Sequence, residues 1–226
     1  YVDLLAVRAF HGAGSFEECR QDPIMQGFRR WAGVPVINME SARWHPCQAL
    51  ADWATLDQHA IPKRAKFVLS WAWHPKPLPH AVPNSTLCMA AQRGMDVVLL
   101  CPPGLELHDE VLAEAEQLAT THGGSLTVTH DREEALHGAA AVYAKSWGSQ
   151  QHWGDLESET AFRAALRDWC VTPAWLGDSA RFMHCLPIRR NVVASDAVLD
   201  GPQSIVLDQA EHRLHAQTAL LESLLS

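Results

Sequence analysis

No two cysteines in these 226 residues form a C-x-x-C pair: Cys19, Cys47, Cys88, Cys101, Cys170 and Cys185 all stand well apart. That absence argues against a zinc ribbon and against a disulfide framework, so reduced thiols and a cytoplasmic location are expected. Basic residues are scarce as well. Eighteen Lys and Arg stand against 26 Asp and Glu, a formal charge of -8, which excludes a surface that tracks nucleic acid or binds anionic membranes. Cations must therefore act locally, in a pocket. No apolar run approaches the roughly 18 residues of a spanning helix; the strongest, DVVLLCPPGL, is broken by two prolines. A basic leader of the signal-peptide kind is missing, and so is an initiator methionine. The chain opens with YVDLLAVRAF, inside what reads as a buried strand, so an upstream segment is expected.

What is present is ample apolar material, 47% of the residues, enough to bury a core. Strand-length apolar runs alternate with helix-period segments, the pattern of parallel sheet with crossover helices. Strands are expected at 1–10, 35–39, 66–73, 96–101, 125–130, 141–147, 182–186 and 204–208. Helices are expected near 16–31, 46–59, 84–94, 109–121, 131–137, 159–169 and 209–225. The fold class is α/β: two Rossmann-like parallel-sheet domains, the first only partly present. Residues 1–60 would be the C-terminal part of one domain and 61–208 a nearly complete second. The apolar residues of 209–226 give one packed face, so this last helix is expected to fold back across the first domain.

Two stretches, three scattered cations and one glycine turn bear on chemistry. In FMHCLPIRR (182–190), Cys185 is open to three readings: nucleophile, metal ligand or wall. On a strand, His184 and Cys185 would point to opposite faces, which weakens a His–Cys dyad. A metal would need further ligands, and the only local histidine pair is His212 with His215. Structural burial, or a strand end lining a ligand crevice, remains. In WHPCQALAD (44–52), Pro46 at a first helical position puts His45 at the cap and Gln48 one turn on. An imidazole and an amide then face one spot, able to grip a planar group through its carbonyl oxygen and amino group, while the helix N-terminus attracts phosphate. The bland alternative is a capped surface helix. Arg8 ends an apolar strand, Lys145 lies inside AVYAKSW and Arg213 inside EHRLH; singly each is an ordinary surface charge, jointly they mark strand ends. GAG at 12–14 imitates a dinucleotide-binding turn, but Glu17 stands where G-x-G-x-x-G needs its third glycine.

HPCQALAD, FMHCLPIRRN and GPQSIVLDQAEHRLHAQ at these separations resemble the aspartate/ornithine transcarbamoylase family, from Tyr1 to the C-terminus. YVDL, VRAF, PVINME, HPKPL, YAKSWG and HCLP resemble most its branch acting on N-acetylornithine. The resemblance implies two α/β domains in a homotrimer with shared active sites, and no metal or organic cofactor. It implies that Arg8, His45, Gln48 and Arg213 hold carbamoyl phosphate, with Pro46 and Cys47 in the same motif. Cys185 and Leu186 would line the join between both substrates, making Cys185 a positioning residue, and Glu40 and Lys145 would face the amino acid. Arg8, His45 and Cys185 are the residues implied at the reacting centre. The expected reaction is attack of an ornithine δ-amine on the carbamoyl carbon. A lysine-like amine is neutral in only on the order of one molecule in a thousand at pH 7, so the site must favour the free amine.

Two departures sharpen the reading. Ornithine transcarbamoylases resemble V-Y-T-D where this chain has VYAK (142–145). Lysine repels an α-ammonium and suits an N-acylated, neutral α-nitrogen beside a free carboxylate, which makes N-acetylornithine the expected substrate and N-succinylornithine or ornithine the alternatives. Acetyl-type relatives can carry lysine at the position of Val193. The family's Ser-x-Arg-Thr phosphate loop has no match here, so the chain alone is expected to be inactive or weak. A noncatalytic relative and a nicotinamide-dependent oxidoreductase are the readings from other classes.

Overall fold

The computed structural model describes residues 1–10 and 14–226. Two parallel sheets organise it. The first pairs β1 (Leu5–Arg8) with β2 (Val36–Glu40). Between them run α1 (Phe16–Arg20) and α2 (Pro23–Trp31), and β2 is followed by α3 (Pro46–Gln58). The expected single helix over 16–31 is broken in two. Asp22 takes a left-handed φ of 58° and Pro23 begins α2; a proline inside a continuous helix would remove a donor and clash with the preceding turn.

The second sheet holds β3 (Lys66–Trp71), β4 (Asp96–Leu100), β5 (Ser125–Thr129), β6 (Ala141–Lys145) and β7 (Arg181–Met183), in the order β5-β4-β3-β6-β7. All four pairings are parallel. Winding runs outward from β3 through β4 and β5, then resumes on its other side with β6 and β7. The switch point therefore lies between β3 and β6, where open α/β sheets leave a crevice at their carboxyl ends. Trp71 and Lys145 are register partners there.

Helices α4 (Ala81–Gln92), α5 (Asp109–His122), α6 (Arg132–Leu136), α7 (Leu156–Ala164), α8 (Pro173–Leu176) and α9 (Asp196–Leu199) complete the second unit. Every residue from Ala81 to Ala91 is buried, the polar Asn84, Ser85 and Thr86 included, so this helix is packed on several sides. The short α8 and α9 were not foreseen.

Two expected strands are corrected. SIVLD (204–208) is no strand: Ser204 makes only an isolated bridge to Phe182, and α10 runs over Val206–Leu225. A five-residue apolar run does not distinguish strand from buried helix, and here the following helical period extends back through it. The strand expected at 182–186 ends at Met183, so His184 and Cys185 lie beyond the sheet and the opposite-faces argument does not apply. Helix α10 packs along α3, through His59 Nε2 and Asp208 Oδ2 at 2.6 Å and through a His212–Gln58 contact. Among the described residues no helix is long and apolar enough to cross a membrane.

Candidate active site

A register shift between Val7 and Arg8 sets Arg8 opposite Glu40 at the carboxyl end of the first sheet. The Arg8 Nε donates to Glu40 Oε2 at 2.9 Å; Arg8 is 67% exposed while Glu40 is 13% exposed. The same Glu40 oxygen stands 3.8 Å from His45 Nε2. His45 is the residue before α3, with Pro46 in its first turn, as the sequence indicates, but its side chain makes no capping bond. Its backbone N–H donates to Ser85 Oγ at 2.7 Å, and its ring Nδ1 is buried without a partner. Burial first, then the charges of Arg213, Arg8 and Lys145, push its pKa down to about 3. The imidazole is thus neutral, and three cations converge on it from three elements.

Gln48, one turn into α3, is fixed at both ends. Its Nε2 donates to Asp52 Oδ1 at 2.7 Å, and its Oε1 accepts from Arg213 Nη1 of α10 at 2.7 Å. A carboxylate only accepts and a guanidinium only donates, so the network settles which way the amide points. Asp52 is fully buried, and the same Oδ1 accepts from Gln209 Nε2 at 2.6 Å. Gln209 Oε1 in turn accepts the His184 N–H at 2.9 Å. Burial pushes the Asp52 pKa up to about 6 against the lowering effect of its donors. Asp52 and Gln209 were not foreseen. Their signal was present in spacing alone, four residues after Gln48 and four before Arg213 on helix faces.

Pro46 and Cys47 contribute differently. Pro46 is exposed, and the buried Cys47 Sγ contacts the Asn38 carbonyl oxygen at 3.5 Å. Neither side chain is polarised for chemistry, since burial pushes the Cys47 thiol up.

From the second sheet, Lys145 closes β6 at 8% exposure. Among the described residues no carboxylate oxygen approaches its ammonium within 4.0 Å. Its charge acts on His45, His184 and Cys185, which places these groups around one region. His184 Nδ1 accepts the Leu186 N–H at 2.9 Å, and burial drives its pKa to about 3. That nitrogen is therefore occupied and is no base for the neighbouring thiol. Burial pushes the Cys185 thiol up, with Lys145 opposing. Tyr143, fully buried on β6, has its hydroxyl among Asp52, Thr86 and Cys185. Leu186 is partly buried against the core beside Cys185.

The expected residues are thus drawn together in two groups: Arg8, Glu40, His45, Gln48 and Arg213 on one side, Lys145, Cys185 and Leu186 on the other. A cavity of about 600 Å³ lies elsewhere, between α1 and the second unit, against Phe16, His80, His108 and Trp153, and none of those eight residues lines it. His212 and His215, the sequence's histidine pair, are engaged by Gln58 and Glu211. His11, Gly12 and Ala13 fall outside the described residues, and with them most of the GAG turn.

The carbamoyl-phosphate-binding domain profile of the aspartate/ornithine carbamoyltransferases matches residues 1–58, and their Asp/Orn-binding domain profile matches residues 79–224. The chain is 44% identical over 230 residues to an N-acetylornithine carbamoyltransferase of Xanthomonas campestris pv. campestris, covering 99% of this chain and 68% of that protein. It is 34% identical over 229 residues to an N-succinylornithine carbamoyltransferase of Bacteroides thetaiotaomicron, covering 100% of this chain and 67% of that one. A crystal structure of acetylornithine transcarbamylase complexed with acetylcitrulline superposes with a TM-score of 0.95 at 44% identity, covering 99% of this chain and 69% of that one.

Proposed function

This chain belongs to the aspartate/ornithine carbamoyltransferase family, and from that premise we propose that the protein transfers a carbamoyl group from carbamoyl phosphate to the δ-amine of N-acetylornithine. The products are N-acetylcitrulline and phosphate, in arginine biosynthesis. Arg8 and Arg213 hold the anionic donor between α3 and the first sheet. The neutral His45 donates a ring N–H to the carbamoyl oxygen. Gln48 has its amide nitrogen committed to Asp52, so its oxygen accepts from the carbamoyl amino group. The amine lone pair attacks the carbamoyl carbon, a C–N bond forms, and negative charge develops on the oxygen facing His45 and Arg8. Preorganised donors at such an oxygen contribute about 3 kcal/mol each in other enzymes. The C–O bond to phosphate then breaks, and the amine's proton leaves with the departing phosphate. Cys185 and Leu186 line the approach of the amine as positioning residues, and neither forms a bond.

The observation that carries the substrate assignment is Lys145. A nearly buried ammonium at the switch point, with no carboxylate oxygen of the described residues within 4.0 Å, is costly unless a ligand supplies the anion. An α-carboxylate supplies it, and an adjacent α-ammonium would cancel the gain; acylating that nitrogen removes the conflict. N-succinylornithine is the second reading. It draws on the 34% identical relative. A homotrimer with shared sites and a cytoplasmic setting complete the proposal. Carbamoylation of N-acetylornithine, N-succinylornithine and ornithine by the full gene product tests it. The highest kcat/KM should fall on the acetylated substrate; a preference for free ornithine, or no transfer to any of the three, overturns the reading.

A further inference from the structure

We propose that Cys101, Glu106 and His130 form a binding site for a thiophilic divalent cation such as Zn²⁺, on the β4–β5 side of the second sheet and separate from the carbamoyl-transfer residues. Their ligand atoms, a sulfur, a carboxylate oxygen and an imidazole nitrogen, all lie within 4.8 Å of one another. Tetrahedral zinc with bonds of about 2.0–2.3 Å sets its ligands roughly 3.3–3.8 Å apart. A closure of about an ångström therefore completes three corners, and the fourth is left to water. The two residues that must move have side chains 37% and 44% exposed, Glu106 and His130.

Each ligand is already oriented by its other atoms. His130 Nδ1 lies 2.7 Å from the Cys101 carbonyl oxygen, and since a carbonyl only accepts, Nδ1 carries the proton and Nε2 presents a lone pair. Glu106 Oε2 accepts the Gly104 N–H at 2.9 Å, leaving Oε1 to face His130 Nε2 at 3.3 Å. Two lone pairs so opposed need a cation between them or a second proton on the ring. A backbone carbonyl fixing the far imidazole nitrogen is the usual outer arrangement of a metal-bound histidine. Cys101, fully buried at the end of β4, adds the sulfur that a plain His–Glu ion pair would not need. The spacing escapes sequence motifs because the ligands come from two adjacent strand ends and the loop between β4 and α5.

The ion would act as a staple. The 101–108 loop accepts three hydrogen bonds from the segment following Lys145: Trp147 Nε1 to the Leu105 carbonyl at 2.7 Å, Ser149 Oγ to that of Gly104 at 3.2 Å, and Gln150 Nε2 to that of Glu106 at 2.9 Å. Pinning Glu106 to the β5 end holds the platform on which that segment rests.

Cobalt titration of the chain tests the site, read by thiolate-to-cobalt charge-transfer absorption in the near ultraviolet. One equivalent of Co²⁺ should give the band and Zn²⁺ should quench it. C101S should abolish it, and H130Q and E106Q should weaken Co²⁺ binding at least about tenfold. If C101S does not fold, the two variants at part-exposed positions decide alone. No band at excess Co²⁺, or full-strength binding in H130Q and E106Q, overturns the proposal. A band that survives C101S and is lost in C185S does so too, by assigning the ion to the other site.

Discussion

Arg213 Nη1 on the last helix donates to Gln48 Oε1 on α3 at 2.7 Å, and one turn deeper on both helices Gln209 and Gln48 share a single oxygen of Asp52. The contact between α3 and α10 therefore includes, beside His59–Asp208 and His212–Gln58, the groups assigned to the carbamoyl donor and the acid that orients them. The packing of the helix pair thus also fixes the amide of Gln48.

Asp52 supplies the first prediction. Its pKa is raised to about 6 from the usual carboxylate range by burial. Between pH 4 and 6 the folded state therefore holds a proton that the unfolded state has released, so this group costs stability progressively as pH rises through that window. Both glutamine donors use Oδ1, while Oδ2 faces Thr86 Oγ1 at 3.4 Å. Asparagine keeps the acceptor and turns its amide nitrogen toward that hydroxyl. D52N should match the parent at pH 4 and exceed it in urea midpoint at pH 7. D52A, leaving two amides unpaired, should lose about 2–4 kcal/mol at either pH.

Acid lability supplies the second. His45 and His184 are held near pKa 3 and His80 near 4, each chiefly by burial. Folded pKa values below the unfolded one mean stability that is present above about pH 6.5 and lost as pH falls toward them. These three histidines, together with His74, lose stability on acidification while Asp52 and Asp22 gain it, so the net sign is loss. The urea midpoint should fall between pH 7 and 5. In H184N, whose side-chain oxygen can accept the Leu186 N–H in place of Nδ1, the slope should be shallower.

Much of this architecture was legible beforehand because parallel strands buried on both faces read as continuous apolar runs, as in KFVLSW and DVVLL. What escaped were features set by pairing across the fold. Nothing in SIVLD says that Gln209 will bond to Asp52 and carry the segment into a helix. The register shift that brings Arg8 to Glu40 also has no local cue. His45, Gln48 and Arg213 were readable by residue type, whereas the acid that orients Gln48 and meets Gln209 was not.

Lys145 sets the third prediction. K145D reverses the charge at the β6 end, so it should favour an α-ammonium over an α-carboxylate. The ratio of kcat/KM for ornithine to that for N-acetylornithine should rise by at least about a hundredfold, equivalent to roughly 3 kcal/mol. K145M should lose affinity for the acylated substrate without gaining ornithine. An unchanged ratio in K145D would remove the lysine from substrate recognition.

Cys185 decides between nucleophile and positioning residue. Burial holds its thiol in the protonated form despite Lys145, and the imidazole of the adjacent His184 has its Nδ1 committed to the Leu186 N–H. Neither Lys145 nor that imidazole draws off the proton, and carbamoyl transfer from an activated phosphate to an amine requires no covalent enzyme intermediate. C185S swaps a large polarisable sulfur for a smaller oxygen, so the amine's approach should be loosened while the chemistry stays intact. Its kcat should fall by about tenfold or less, with KM for the amine rising, whereas deleting a true nucleophile costs on the order of a million-fold. Iodoacetamide at pH 7 should label Cys185 slowly, and pre-incubation with carbamoyl phosphate should leave no carbamoylated thiol by mass spectrometry. Finding that adduct would return the cysteine to the reacting centre.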